Sequence, residues 1–281
     1  MKRIGIWGAY KSGYISDDIL YEALANEIKL NMPDAEIIAL ADGIPDDGVD
    51  FIIIGGGTML GEPLHAFTYN KPFGVFGAGY RDNLNLDILK KAKFIYVRGG
   101  YSKRKLSEHG IDSEVIGDPV CLLSGAHIPS NIKLGMIPRN VPSLQSWLSQ
   151  YKPDVGIILN KRDDSQIDGL NIPFYITPSS AESALLMIRS CSQLVSARCH
   201  PYFIAIMANI PAMVAQFEFH KVWDVMSGFG VTVILRDSVY ESVFPAPRFP
   251  IQEQMVDAQG HISETCNNMK KVLKEICQKL V

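Results

Sequence analysis

An arginine and a histidine two residues apart follow one predicted strand and precede a predicted helix. The strand spans Leu194–Ala197, and Pro201, which suits the first turn of a helix, puts His200 near the N-cap. With the free N–H groups of the helix start, Arg198 and His200 can bind an anion and donate a proton. A bound phosphate or carboxylate would keep the imidazole protonated, as a general acid requires, whereas the helix dipole alone favours the neutral ring. A purely structural role for His200 is the alternative.

A second arginine ends another buried strand. Arg98 follows Phe94–Val97, and the next helix is expected to begin at Ser102, as its N-cap, and to end near His109. A guanidinium in this place can hold a carboxylate or a phosphate through two hydrogen bonds. It can equally pair with an acidic side chain for structural reasons, and both interpretations stay open.

Glycines that follow the strand Phe51–Ile54 leave the backbone N–H groups open to a ligand. Gly56 and Gly57 are therefore candidate binding residues, and a tight strand-to-helix turn is the alternative. Lys221 follows a later strand and can reach the same edge, or lie solvated at a helix start. Because the chain contains no GxGxxG, GxxxxGK[ST], GxSxG, HxH or HExxH motif, a P-loop ATPase, a serine hydrolase and a dedicated metal site are disfavoured.

Short apolar runs alternate with amphipathic helical segments along the chain, a pattern typical of parallel strands covered on both faces by helices. In the first part, strands are expected at Ile4–Trp7, Ile37–Leu40, Phe51–Ile54, Phe73–Phe76, Phe94–Val97 and Glu114–Ile116. In the second part, they are expected at Leu134–Ile137, Val155–Leu159, Phe174–Ile176, Leu194–Ala197, Ala212–Ala215 and Thr232–Leu235. Further helices are expected at Asp17–Asn31, Pro142–Tyr151 and Ala181–Ser190, the last with a capping box at Ser179–Glu182. Ligands of such sheets bind beyond the carboxyl ends of the strands, where the candidate residues should meet.

The polar, turn-rich stretch Gly125–Lys133 divides the chain into two predicted domains, residues 1–125 and 126–260. A closing helix, within residues 261–281, carries an apolar stripe that begins at Ile262 and ends at Leu280. We favour docking of this helix on the N-terminal domain. The alternative is peripheral contact with the inner membrane face through the lysines opposite the stripe, which are Lys270, Lys271, Lys274 and Lys279.

Composition excludes several classes of protein. The 27 basic and 30 acidic residues give a formal net charge of −3, which offers no electrostatic footprint for nucleic acid. The five cysteines form no CxxC pair, so they are expected to be thiols of a reducing compartment. No apolar run reaches the about 18 residues of a membrane span, and the N-terminus lacks the apolar core of a signal peptide. A cytoplasmic protein is therefore expected.

In order along the chain, these motifs resemble those of the polysaccharide pyruvyl transferases, from Gly5 to about Gly230. The landmarks are Gly5–Gly8, Asp17–Leu20, Gly55–Thr58, Gly77–Gly79, Arg98 with Ser102 and Leu106, Gly110–Ile111, Asp118–Pro119, Ala197–His200, Ala205, Pro211 and Lys221. The resemblance implies two Rossmann-like domains facing a cleft, as in glycosyltransferase-B-like folds. It also implies transfer of a pyruvyl group from phosphoenolpyruvate to two hydroxyls of one sugar, which gives a cyclic ketal and free phosphate.

The resemblance assigns roles to the candidate residues. His200 is expected to be the general acid, with Arg198 as its catalytic partner, and Arg98 is expected to hold the carboxylate or phosphate of the donor. The remaining substrate-binding candidates are Ser102, Gly56, Gly57, Asp17 and Lys221. No cofactor or metal is implied, and the partners would be phosphoenolpyruvate and a glycan or lipid-linked saccharide of the cell surface.

Three positions depart from the family pattern. Where the family usually has Asn-x-Gly-Asp, this chain has Tyr14–Asp17 and keeps only the aspartate. Gly99 stands where aspartate is frequent, and Cys199 stands where leucine is common. The first two departures lie on the side expected to bind the acceptor. Two alternatives therefore stay open: a nucleotide-sugar glycosyltransferase on the same scaffold, and a non-catalytic glycan-binding relative.

Overall fold

The computed structural model contains two parallel β-sheets flanked by helices, which confirms the α/β expectation. It describes residues 1–8, 10, 15–40, 48–57, 59–60, 71–81, 86–123, 125–139, 147–160, 170, 172–215, 220–240 and 247–280. The N-terminal half is built on the first sheet and the C-terminal half on the second. One long helix at the end of the chain contacts both halves.

The first sheet has six parallel strands in the order β2-β1-β3-β4-β5-β6. They are β1 (Arg3–Trp7), β2 (Glu36–Leu40), β3 (Phe51–Gly55), β4 (Phe73–Ala78), β5 (Ile95–Val97) and β6 (Glu114–Val115). Every residue of β3 and β4 is buried, as expected of central strands that helices cover on both faces.

The second sheet also has six parallel strands, in the order β12-β11-β10-β7-β8-β9. They are β7 (Ile132–Ile137), β8 (Val155–Ile157), β9 (Tyr175–Ile176), β10 (Cys191–Ser196), β11 (Ala212–Ala215) and β12 (Val239–Tyr240). If β7 to β12 are renumbered 1 to 6, the order read from the β9 edge is 3-2-1-4-5-6. This is the strand order of a doubly wound nucleotide-binding fold. The order reverses between β7 and β10, so a crevice opens beyond their carboxyl ends.

The described helices are α1 (Ile15–Asn31), α2 (Leu86–Leu89), α3 (Gly100–Ser107), α4 (Ala181–Arg189), α5 (Cys199–Met207), α6 (Lys221–Phe229) and α7 (Gln252–Leu280). A 3₁₀ turn at Pro119–Leu122 follows β6, and another at Arg236–Ser238 precedes β12. The halves meet where α1 packs on α4, where α3 packs on α6 and where the Pro119–Leu122 turn packs on α5. Helix α7 covers α1 and that turn on one side and α5 and α6 on the other.

Two expected elements are wrong. Thr232–Leu235 is not a strand, because residues 231–235 form a helical turn in which the Leu235 N–H donates to the Val231 carbonyl at 3.0 Å. The last strand of the second sheet is β12 instead. The closing helix begins at Gln252, about ten residues before Ile262, because buried Met255 and Ala258 extend its apolar stripe towards the N-terminus.

Two helix starts also differ from the expectation. Helix α3 begins at Gly100 with Gly99 as its N-cap, so Ser102 lies inside the helix and is not its cap. In α4 the capping box joins Ser180 to Ser183, one residue later than expected. Of the helix expected at Pro142–Tyr151, residues 142–146 lie outside the described residues, and the structure describes a helical segment only at Trp147–Leu148.

Candidate functional site

Most of the candidate residues follow the carboxyl ends of strands, where the N- and C-terminal halves meet. Gly56 and Gly57 follow β3, and Arg98 follows β5. Arg198 and His200 follow β10 at the start of α5. This is the edge at which parallel sheets bind their ligands.

The start of α5 places Arg198 and His200. Arg198 is the N-cap with an extended backbone, which the Ser196 hydroxyl fixes by accepting the Arg198 N–H at 3.0 Å and donating to its carbonyl at 2.6 Å. His200 is the second residue of the helix and is only 4% exposed. Between them, Cys199 is buried, and burial raises the pKa of its thiol to about 12, so it behaves as an apolar side chain. The side chain of the N-cap residue, Arg198, makes no capping hydrogen bond to the first N–H groups of α5.

Asp17, in the first turn of α1, faces this pair from the other half. Burial raises the pKa of the Asp17 carboxyl above its ordinary value, while the nearby charges of His200, Lys221 and Arg198 oppose that shift. Asp17 also lies beside the glycines that follow β3, because a Cβ at Gly57 would lie 3.8 Å from its Oδ1. We call Asp17, Arg198, His200 and Lys221 the His200 cluster.

The left-handed backbone explains why glycines stand next to Asp17. Gly56 has φ of +70° and Gly57 has φ of +62°, a region that side chains disfavour. The two residues turn the chain sharply at the end of β3. They leave the backbone uncovered towards Asp17.

Asp118 stands against His200. Its Oδ2 lies 3.6 Å from His200 Nε2, and among the described residues neither atom has a hydrogen-bond partner. Its Oδ1 accepts the Val120 N–H at 3.0 Å, which fixes the carboxylate at the start of the Pro119–Leu122 turn. Burial alone would raise the pKa of Asp118, but His200, Arg98 and the Val120 amide outweigh it and hold that pKa below its ordinary value. Asp118 is therefore an anion at neutral pH.

Arg98 lies in a second group, which joins the two halves. It is 2% exposed, and its Nε donates to Asp224 Oδ2 in α6 at 2.9 Å. The Ser102 hydroxyl donates to the same oxygen at 2.5 Å, and the Ser102 N–H donates to Asp224 Oδ1 at 3.0 Å. The Ser102 oxygen also accepts the Tyr80 N–H at 2.8 Å, so the hydroxyl is engaged within the protein. We call Arg98, Ser102 and Asp224 the Asp224 cluster.

Glycines allow the two halves to approach each other around the Asp224 cluster. A Cβ at Gly99 would overlap the Asp224 carbonyl, and a Cβ at Gly228 would overlap the Arg98 carbonyl. A Cβ at Gly79 would overlap the Arg98 guanidinium. An aspartate in place of Gly99 therefore has no room here. The carboxylate beside Arg98 comes instead from Asp224, in the other half.

With this geometry described, the chain can be compared with known proteins. The family model for polysaccharide pyruvyl transferase matches residues 17–214, more than half of the chain. The chain belongs to the polysaccharide pyruvyl transferase family. No curated protein sequence matches it significantly.

Solved structures show the same architecture. A Staphylococcus aureus MnaA–UDP complex matches with a TM-score of 0.53 at 12% identity, over 96% of this chain and 91% of that one. An uncharacterised Klebsiella pneumoniae protein matches with a TM-score of 0.52 at 15% identity, over 80% and 87% of the two chains. A Listeria monocytogenes protein described as a UDP-N-acetylglucosamine 2-epimerase matches with a TM-score of 0.50 at 12% identity, over 96% and 91%. The pyruvyl transferase family member thus has a glycosyltransferase-B-like fold of two Rossmann-like units, with the C-terminal helix packed on the body.

The candidate site differs from the sequence expectation in its charge. The sequence assigns to it three basic residues that can carry positive charge, namely Arg98, Arg198 and His200, and Asp17 as a carboxylate. The structure adds two more carboxylates, namely Asp118, whose charge acts on both Arg98 and His200, and Asp224, which pairs with Arg98.

Sequence reasoning missed two carboxylates of this site. Asp118 appears in the sequence analysis only as a family landmark with Pro119 and not as a site residue. Asp224 gave no local signal, because it lies 126 residues from Arg98.

The described part of the chain shows neither a metal site nor a membrane-spanning helix. No group of three or more His, Cys, Asp or Glu side chains there could hold a metal ion. No helix in that part is both long and apolar enough to cross a membrane.

Proposed function

We propose that this pyruvyl transferase family member moves a pyruvyl group from phosphoenolpyruvate to a sugar of a cell-surface polysaccharide precursor. The products are a cyclic pyruvate ketal on the sugar and free phosphate. The observation that carries the proposal is the His200 cluster, in which cations and a buried imidazole from one half face a carboxylate and a glycine turn from the other.

The donor would bind at the start of α5. Phosphoenolpyruvate carries a carboxylate and a phosphate, and Arg198 can hold either one through two hydrogen bonds. Lys221 adds a second positive charge, and the N–H groups at the start of α5, which the Arg198 side chain does not cap, add hydrogen-bond donors. Arg98 contributes less than the sequence predicts, because its Nε is committed to Asp224. Its buried Nη1 has no hydrogen-bond partner among the described residues and can donate to an oxygen of phosphoenolpyruvate.

The reaction balances with His200 as the acid. His200 gives its proton to the methylene carbon of phosphoenolpyruvate, which becomes a methyl group and leaves an oxocarbenium-like centre at the neighbouring carbon. One sugar hydroxyl adds to this centre and releases its proton to the imidazole. The carbon–oxygen bond to phosphate then breaks, and the second sugar hydroxyl adds to the same carbon. Its proton leaves with the phosphate.

Asp118 and Asp17 would support the two substrates in different ways. Asp118 can accept a hydrogen bond from His200 Nε2–H, which fixes the ring and leaves Nδ1 to exchange the proton with the donor. Asp118 is thus a positioning residue. Asp17 is half-buried beside Gly57 and can accept a hydrogen bond from an acceptor hydroxyl. We infer a cytoplasmic site of action on a glycan or lipid-linked saccharide.

A phosphate-release assay tests this function. The protein is incubated with phosphoenolpyruvate and a panel of glycan and lipid-linked acceptors, and mass spectrometry follows the gain of one pyruvate less one water. We expect turnover with at least one acceptor. His200→Ala and Arg198→Ala should each lose at least about 100-fold in kcat, and circular dichroism at the assay temperature should show that both variants are folded.

Matched controls use exposed residues of the same types. Arg104→Ala and His109→Ala should keep wild-type turnover, because both side chains are exposed on or just after α3. Wild-type turnover in His200→Ala would contradict the assigned role. Turnover with UDP- or GDP-sugars in place of phosphoenolpyruvate would replace the proposal with a nucleotide-sugar glycosyltransferase. Saturable glycan binding without affinity for phosphoenolpyruvate would replace it with a non-catalytic relative.

A further inference from the structure

A cavity of about 490 Å³ lies at the opposite edge of the first sheet from the His200 cluster. It is bounded by the amino-terminal ends of β1, β3, β4 and β5 and by the last turn of α7. The residues of the His200 cluster follow the carboxyl ends of strands, and β3 alone separates the two edges by about 17 Å. The volume lies within the range of small-molecule sites, about 300–1,000 Å³. This cavity is therefore a separate candidate site.

Aromatic and aliphatic side chains form the floor of the cavity. The rings of Phe51 and Phe94 are stacked with centroids 6.0 Å apart, and those of Phe94 and Tyr96 lie 5.7 Å apart. Phe94, which directly precedes β5, and Tyr96 within it are only half-buried, and Ile276 and Leu280 of α7 also line the cavity. Such a floor favours the apolar body of a ligand.

Three exposed lysines form the rim. Lys2 and Lys93 precede β1 and β5, and Lys279 lies in the last turn of α7. The carboxylate in the lining, Asp50, accepts the backbone N–H of Arg3 at 2.8 Å. The lining thus carries three positive charges against one negative charge, which is the opposite sign to the whole chain.

The charges near Tyr96 are the exception to this positive rim. Burial raises the pKa of the Tyr96 hydroxyl, and the nearby carboxylates of Glu114 and Glu275 raise it further. Neither carboxylate is among the lining residues, so the charged groups of the lining are Lys2, Lys93, Lys279 and Asp50.

We propose that this cavity binds an amphiphilic anion, a molecule with a phosphate or carboxylate head and an apolar body. The lysines of the rim would hold the head, and Phe51, Phe94 and Leu280 would cover the body. The same chemistry is found in a free amphiphile and in the headgroup region of an anionic membrane. The site is independent of the transferase residues and of the proposed function.

Octyl phosphate is a suitable probe, with titration calorimetry as the measurement. We expect saturable binding of one molecule per chain. Octyl glucoside, which has the same body and a neutral head, and inorganic phosphate, which has the head alone, should each bind at least about tenfold more weakly. Equal binding of octyl phosphate and octyl glucoside would overturn the proposal, as would a failure of octyl phosphate to saturate.

Two charge-matched variants locate the binding. Lys93→Ser/Lys279→Ser should weaken the binding of octyl phosphate at least about tenfold. Lys271→Ser/Lys274→Ser should leave this binding unchanged, because both lysines lie in α7 with Lys279 but outside the lining of the cavity. All four lysines are exposed, so both proteins should melt like the wild type. An equal loss in the two variants, or a loss only in Arg198→Ala, would overturn the assignment to this cavity.

A flotation experiment with lipid vesicles identifies the source of the amphiphile. Flotation with phosphatidylglycerol vesicles, but not with phosphatidylcholine vesicles, that is lost in Lys93→Ser/Lys279→Ser would support a membrane lipid. Octyl phosphate binding without flotation would support a free amphiphile. Flotation without octyl phosphate binding would overturn the proposal that the cavity binds the amphiphile, and would assign these lysines to a flat contact with the membrane surface.

Discussion

The Asp224 cluster and the His200 cluster lie at the same junction between the two halves and contain the same kinds of side chain. In the Asp224 cluster, every oxygen of the carboxylate is hydrogen-bonded, and Arg98 and Asp224 are 2% and 0% exposed. In the His200 cluster, Asp17, Arg198 and Lys221 are only half-buried. An arginine at the end of a strand is therefore not enough to define a ligand site. What distinguishes the two clusters is how far their charged side chains are buried away from solvent.

This difference divides the two arginines that sequence analysis treats alike. Arg98 is used mainly to join the halves, because a buried guanidinium without its carboxylate is costly. Arg198 follows a strand in the same way but stays half-buried at the start of α5. Asp118 links the two groups, since its charge acts on both Arg98 and His200. Substitutions in the Asp224 cluster should therefore mainly lower stability, and substitutions in the His200 cluster should mainly lower turnover.

The largest expected effect on stability is that of Asp224→Ala. It leaves the Arg98 guanidinium buried without its partner, so the free energy of unfolding should fall by about 3–5 kcal/mol. Urea denaturation monitored by circular dichroism measures the loss. The double variant Asp224→Ala/Arg98→Met should recover part of it, because the uncompensated charge is then gone. A loss below about 1 kcal/mol would show that the Asp224 cluster does not hold the halves together.

Gly99→Ala should have the next largest effect on stability. Gly99 has φ of −163°, which any residue adopts, so the cost comes from the overlap of the new Cβ with the Asp224 carbonyl. Overpacking of this kind costs about 1–3 kcal/mol, measured by the same denaturation. Gly100→Ala is the matched control, because its Cβ would meet Ser227 Oγ at an ordinary 3.5 Å. Equal stability of the two variants would contradict the close approach of the halves at Gly99.

Asp118→Asn tests the link between the two clusters. The amide keeps the cap on the Val120 N–H but loses the charge beside His200, so kcat should fall about 10- to 100-fold. The KM for phosphoenolpyruvate should change little, because Asp118 acts through His200. Asp112→Asn removes an exposed carboxylate near β6 and should have no effect. A rise in KM with kcat unchanged would place Asp118 in contact with the donor.

Sequence reasoning succeeds at this site where the signal is local and fails where it is not. The position of Arg198 and His200 at the start of a helix could be predicted because a strand, these two residues and Pro201 follow one another within a few positions. The pairing of Arg98 could not, since Asp224 comes from a helix of the other half. For the same reason Ser102 was wrongly predicted to be a cap. Its hydroxyl bonds to Asp224, and helix α3 begins two residues earlier.

The fold shows the same division. The alternation of apolar runs predicts eleven of the strands to within about three residues at either end, because buried parallel strands have a strong local pattern. Thr232–Leu235 has the residue types of a strand, yet it forms a turn in which Val233 is 89% exposed. Tertiary packing decides such short segments, and residue preference alone does not.

The smallest expected effect concerns Asp17 and is the opposite in sign to that of Asp224. The folded protein raises the pKa of the Asp17 carboxyl above its ordinary value of 3.8, chiefly by burial. Asp17 therefore favours the folded state at acid pH, and this contribution is lost as the pH rises through the folded pKa. Asp17→Asn removes the buried charge, so the melting temperature at pH 7 should rise, on the order of 1–2 °C.

Melting curves from pH 3 to pH 8 test the sign of the Asp17 effect. The gain of Asp17→Asn should fade as the pH falls through the folded pKa and vanish below about pH 3, where the carboxyl is protonated in both states. Asp118→Asn should show the reverse, a lower melting temperature at pH 7, because the folded protein lowers the pKa of Asp118. A fall in the melting temperature of Asp17→Asn at pH 7 would mean that its cations outweigh its burial. Asp17 would then resemble Asp224, and the distinction between the two clusters would fail.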